Sequence, residues 1–125
     1  MMNFLRKRIL SFYYAFQGIY AFFKTQPNMY IHGLAGLTAI FCSIGFQITG
    51  LEWALVILCI SLVLAVEMIN SAIEVLVDLV SPNWSAKAKY IKDVSAAAVL
   101  VIAIASAVTG GLIFLPYFLK YFDVQ

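Results

Sequence analysis

The stretch "LEWALVILCISLVLAVEMINSAIEVLVDLV", residues 51–80, decides how this chain folds. As a helix it would run roughly 45 Å, at about 1.5 Å per residue, against a hydrocarbon core roughly 30 Å thick. Its first half is apolar after Glu52, and the second half then carries Glu67, Asn70, Glu74 and Asp78. A membrane-crossing helix does not hold carboxylates without a reason, because a charged side chain at depth costs ~2.5–3.5 kcal/mol even on insertion scales. The question set by the sequence is what these acids do there.

The rest of the chain agrees that lipid is the solvent. Of 125 residues, 64% are hydrophobic and 11% charged, and the mean hydropathy is +0.97. Eight Lys and Arg and six Asp and Glu could not cover the surface of a soluble domain of this length. Cys42 and Cys59 fall in apolar segments without a CxxC spacing, which points to packing rather than to a disulfide or a metal. The basic start is followed by an apolar stretch interrupted by Tyr13, Tyr14, Gln17 and Lys24, so no cleavable signal is expected.

The expected architecture is an all-α membrane protein with an amphipathic surface helix at residues 3–24 and spans at 28–48, 51–80 and 94–119. In the first helix Asn3, Lys7, Ser11, Tyr14, Gly18 and Ala21 share one face, and Leu5, Ile9, Phe12, Phe16, Ile19 and Phe23 mark another. That pattern suits a helix lying in the interface plane, with Arg6, Lys7 and Arg8 near anionic headgroups. Pro27 disfavours helical geometry at Gln26 and suits the first turn of a new helix. Lysines and arginines gather in the surface helix and in "SPNWSAKAKYIKD", whereas "QITGLE" has none, so the N-terminus and the second loop are expected in the cytoplasm. The third span is rich in Ala, Ser and Gly, which lets helices approach closely in lipid and leads us to expect homo-oligomerisation. Trp53, Trp84, Tyr30, Tyr117 and Tyr121 fall near the interfaces, where aromatic belts are ordinary.

At about 100° per residue, Glu67, Glu74 and Asp78 fall within roughly 20° of one another, with Asn70 about 60° away. They form one stripe ordered by depth, Glu67 near the inner boundary of the hydrocarbon and Asp78 at headgroup level or beyond. Lys92 and Asp93 open the third span at the same membrane face. Acid oxygens suit a hard cation such as Mg²⁺, lysine suits phosphate, and an acid at the water boundary can take a proton from a lipid hydroxyl. Phosphoryl transfer uses those parts. The chain has no GxxxxGK[ST] loop, kinase catalytic loop or GxGxxG. A second class fits Glu67 as well: a small ion- or proton-coupled membrane protein.

The pattern E-x-x-N-S-A-I-E-x-x-x-D, from Glu67 through Asn70, Ser71, Ala72, Ile73 and Glu74 to Asp78, followed by Lys92-Asp93 and an alanine-rich span, resembles the prokaryotic diacylglycerol kinase family, which includes the undecaprenol kinases. The resemblance covers most of the chain. It implies a homotrimer in a bacterial inner membrane, with ATP and Mg²⁺ bound on the cytoplasmic side, a lipid alcohol reaching the site from the bilayer, and no nucleic-acid partner. By the same resemblance Glu67 is the general base on the lipid hydroxyl and Asn70 its orienting neighbour. Glu74 is a metal ligand that also faces the nucleotide, Lys92, Asp93 and Tyr14 bind ATP, and each site is shared between subunits.

Two positions depart from the family pattern. Gln26 stands where a second metal-binding glutamate is expected, so it brings an amide oxygen without charge; Asn28 or His32 could compensate, although the ordinary role of a histidine at an interfacial helix start is a hydrogen bond. Lys7 stands where an arginine near the nucleotide is expected, and lysine is a less forked phosphate partner. A kinase-like protein weakened at Gln26 is thus a third reading.

Overall fold

Three short interruptions divide the chain into four helices: α1 (Met2–Thr25), α2 (Asn28–Phe46), α3 (Gly50–Val80) and α4 (Ala86–Asp123). The structure is a computed structural model that describes the backbone of residues 2–123 and the side chains of residues 4–122. Helices α2, α3 and α4 are each long and apolar enough to cross a membrane.

Each interruption has a local cause. Pro27 has no amide proton to continue α1, and it occupies the N-cap of α2 at φ −64°. Gln47 ends α2 in the left-handed region, at φ 50° and ψ 50°. There its N–H bonds to the Ile44 carbonyl at 3.3 Å and the Ile48 N–H reaches the Ser43 carbonyl at 3.3 Å, the paired closure of a Schellman turn. This stop comes two residues before the expected end of the first span at 48. Thr49 then caps α3 with Glu52 in a reciprocal capping box.

The third span expected at 94–119 belongs to a longer helix that begins at Ala86. Ser85 starts it, accepting the Ala88 N–H on its hydroxyl at 3.5 Å and the Lys89 N–H on its carbonyl at 2.9 Å. Lys87, Lys89 and Lys92 therefore stand on helix rather than loop, in its first two turns outside the apolar region. Alanine and lysine are good helix formers, so "AKAK" extends α4 where its lack of apolar residues suggested a connection.

Helices α3 and α4 share the most extensive packing, and α2 makes smaller contacts with both. The buried apolar cluster is Ile48, Val56 and Ile113, with Phe46, Trp53, Phe114 and Tyr117 packed against it. It lies at the end of the bundle marked by the α2–α3 turn. Phe46 stacks on Tyr117 with centroids 5.8 Å apart and meets Phe118 edge-on at 5.4 Å, arrangements favoured by the ring quadrupoles. Tyr117 also donates its hydroxyl proton to Glu52 Oε2 at 2.8 Å, the oxygen that accepts the Thr49 N–H at 2.7 Å. One carboxylate thus caps α3 and ties it to α4, so Tyr117 has a partner that an aromatic belt does not require.

Most other apolar side chains are exposed, as lipid-facing residues should be. Cys42 and Cys59 are free and half-buried. Among the described residues of α1 only Phe22 is buried, so both faces of its amphipathic pattern lie open there. Its cations remain accessible, with Arg8 stacked 5.0 Å above the Phe4 ring.

Gln47 sets the α2–α3 turn in a conformation that costs a side-chain-bearing residue about 1 kcal/mol. Gln47→Gly should raise the thermal midpoint in detergent, corresponding to about 1 kcal/mol of stabilisation. An unchanged or lower midpoint would count against strain at this turn.

Candidate functional site

The polar stripe of α3 is graded in burial as well as in depth. Glu67 is only 5% exposed and Asn70 8%; Glu74 is half-buried and Asp78 exposed. Glu67 stands about 26 Å along α3 from its start, a length comparable with a hydrocarbon core of roughly 30 Å.

Glu67 does not lie there alone. His32 Nε2, on the second turn of α2, is 3.0 Å from Glu67 Oε1. The partner is neither a snorkelling route nor a lysine, the two ordinary accommodations for an acid at this depth. Its signal was available in the sequence: in an antiparallel pair joined at residues 47–49, positions 32 and 67 are about equally far from the turn and so face each other. The chain has one histidine, and α2 placed it at the level of the only buried acid among the described residues.

Asn70, nearly one turn beyond Glu67, has a buried side-chain oxygen with no partner. A buried carbonyl left this way costs about 1–3 kcal/mol, and a donor reaching this face would offset that cost. Ser71 beside it is also buried. Glu74 has no hydrogen-bond or ion-pair partner among the described side chains, which leaves both carboxylate oxygens available toward the membrane surface.

The lysines and the remaining acids pair with one another. Lys92 Nζ lies 2.5 Å from Asp78 Oδ1, across the 81–85 connection. Lys89 pairs with Asp93 one turn later on α4. The structure therefore brings Lys92 to Asp78, the last acid of the stripe, and turns Asp93 toward its own helix. Gln26 is half-buried between α1 and α2, and Asn28 is exposed at the first position of α2. Tyr14 and Lys7 are exposed on α1, which has no extensive contact with the other helices. Trp84 is 83% exposed in the connection and touches none of these groups closely enough to hydrogen-bond.

Among the described residues no group of three or more His, Cys, Asp or Glu could hold a metal by itself. That donor set still suits Mg²⁺, which is commonly held by one or two carboxylates together with substrate phosphates rather than by an all-protein cage. Of the residues singled out from the sequence, Glu74 would supply the hard, charged oxygen and Gln26 a neutral one.

One face of α3 thus carries a buried acid, an orphaned amide and a carboxylate without a partner among the described side chains, with the Lys92–Asp78 ion pair beside them. The chain belongs to the prokaryotic diacylglycerol kinase family, which it matches over residues 13–114. It is similar to the undecaprenol kinase of Bacillus subtilis, 35% identical over 114 residues that take in 91% of this chain and 93% of that one. It is 37% identical over 109 residues to a diacylglycerol kinase of Synechocystis, covering 86% of this chain and 62% of the longer relative. A diacylglycerol kinase of Escherichia coli is 29% identical over 96 residues, 77% of this chain and 79% of that one. Membership brings lipid-kinase chemistry to a protein of three apolar spans and favours it over the ion-coupled reading.

Two outcomes follow from the pairing pattern. Asn70→Leu removes an orphaned carbonyl, so the variant should melt at or above the wild-type temperature while losing function; a lower midpoint would mean that Asn70 is satisfied within the fold. Asp78→Asn breaks a largely exposed pair and should change stability by no more than about 1 kcal/mol, measured by the same melt.

Proposed function

We propose that this chain moves the γ-phosphoryl group of ATP to the primary hydroxyl of a membrane lipid alcohol, diacylglycerol or undecaprenol, at the cytoplasmic face of a bacterial inner membrane. The observation that carries this reading is Glu67: a buried carboxylate at the inner boundary of the hydrocarbon, where a lipid hydroxyl sits. Both alcohols named in the relatives present the same primary hydroxyl at that depth.

Glu67 accepts the hydroxyl proton while the lipid oxygen bonds to the γ-phosphorus. The bond from that phosphorus to its bridging oxygen breaks, and ADP leaves with the electron pair. General-base assistance of this kind contributes about 10²–10⁴-fold. Asn70, on the same buried face, orients the acceptor. Glu74 and Gln26 would hold Mg²⁺, which supplies charge neutralisation for the phosphates when bound. Lys92 and Asp93 bind the nucleotide at the base of α4, joined by Tyr14 and Lys7 from α1; Lys92 exchanges Asp78 for phosphate as ATP arrives.

A homotrimer with sites shared between subunits accounts for two further features. Helix α1 carries nucleotide-binding residues without extensive contact to the rest of its own chain, and Ala96, Ala97, Ala98, Ala105 and Ala107 of α4 are exposed. Small residues on an open helix face suit close packing against another subunit in lipid.

The test is transfer of labelled phosphate from ATP to diacylglycerol and to undecaprenol in mixed micelles. Transfer to one or both is expected, with Glu67→Gln reducing kcat by at least ~100-fold. Absence of transfer to any lipid alcohol would overturn the kinase reading, and an active Glu67→Gln would overturn the base. Gln26→Glu should lower the Mg²⁺ concentration for half-maximal rate by roughly tenfold, because a second charged ligand is added. An unchanged requirement would remove Gln26 from the metal site.

A further inference from the structure

We propose that His32 is a positioning residue for the phosphoryl-transfer base: its neutral imidazole donates Nε2–H to Glu67 Oε1 and holds Oε2 toward the lipid hydroxyl. The proposal rests on the reading of Glu67 as the base.

The geometry supplies the first argument. The two atoms are 3.0 Å apart, and the side chains are 22% and 7% exposed, so little water competes for the bond. Among the described side chains Oε1 is the oxygen engaged, leaving Oε2 with no protein partner. A carboxylate that is to take a proton from one direction needs its torsion fixed, and one donor on the other oxygen does that.

The second argument is the absence of any substitute. In sequence α2 has no Lys, Arg, Asp or Glu, α3 has none between Glu52 and Glu67, and α4 has none between Asp93 and Lys120. Lys92, the nearest cation toward the cytoplasm on α4, is engaged by Asp78. Apart from His32, α2 and residues 94–119 of α4 therefore bring no charged or titratable nitrogen or carboxylate to the level of Glu67. A neutral donor is also better suited than a lysine: a full positive charge at 3 Å would stabilise the carboxylate and weaken it as a base.

A lone buried pair can serve packing alone, and the consequences differ. Glutamine places an amide N–H close to where imidazole Nε2 lies, so it can hold the carboxylate without being able to titrate. Leucine fills similar volume and donates nothing. Helix α2 begins four residues before His32, so neither change interrupts the fold.

The experiment compares wild type, His32→Gln, His32→Leu and Glu67→Gln in lipid nanodiscs, reading kcat and the KM for ATP. His32→Leu should lower kcat by about 10- to 100-fold with the ATP KM unchanged, and His32→Gln should recover most of that loss. A His32→Leu enzyme at wild-type kcat, or a glutamine variant as slow as the leucine one, overturns the proposal. If Glu67→Gln keeps its activity, the base assignment itself fails, which is a separate result. Because the chain has one histidine, ¹⁵N-histidine labelling adds a readout independent of activity. The imidazole should show a protonated Nε2 whose signal moves in Glu67→Gln; an Nε2 without a proton, or a signal indifferent to that substitution, overturns the contact.

Discussion

Inside hydrocarbon no water is available to satisfy a polar group, and the arrangement of this chain follows from that constraint. Backbone amides meet it by forming long helices. Three hydroxyls meet it by folding back, Thr38, Ser43 and Thr109 each donating to the carbonyl four residues earlier on their own helix, whereas the buried Ser106 hydroxyl has no partner. A carboxylate has no proton to donate and cannot do this. Glu67 finds its partner on another helix, His32, 3.0 Å away. The α2–α3 hairpin has to hold a register that brings those two side chains level, and Gln47, Thr49 and Glu52 at its turn fix that register.

The two ends of the bundle are built differently. At the turn end, Glu52 joins the cap of α3 to Tyr117 of α4, and Phe46 lies among Phe114, Tyr117 and Phe118. At the other end polar side chains gather, and Asn70 Oδ1 and Glu74 lack partners among the described residues. Fully satisfied groups hold structure together, while unsatisfied ones on a shared face are where a ligand can compete for bonds. The proposed chemistry accordingly falls at the end with open valences, and the packing that supports it lies at the far end of the same helix.

Gln26 and the Lys92–Asp78 pair set the charge at this end. Gln26 puts a neutral amide at the α1–α2 junction, and Glu74 is the half-buried carboxylate of the stripe without a partner among the described side chains. The lysine meanwhile has a carboxylate partner in an exposed site, where such pairs are worth about 0.2–1 kcal/mol and yield readily to a phosphate with greater charge.

Much of this was legible in the sequence. Helical spans followed from apolar length, because hydrocarbon thickness converts directly into a residue count. The stripe of Glu67, Asn70, Glu74 and Asp78 followed from the helical period, and the surface helix from its alternating faces. Less legible were features in which a local signal was weak or lay outside the apolar pattern. Ser85 and the alanine-lysine run began α4 at Ala86, since helix propensity does not stop where hydrophobicity does. Gln47 adopted a left-handed turn that glycine would mark more clearly. Sequence alone thus determined the elements, their solvent and the face that carries the acids, because these depend on period and polarity within a single segment. Only the tertiary structure decided the partners, His32 for Glu67, Tyr117 for Glu52 and Asp78 for Lys92, because each pair depends on the register in which two separate helices come together.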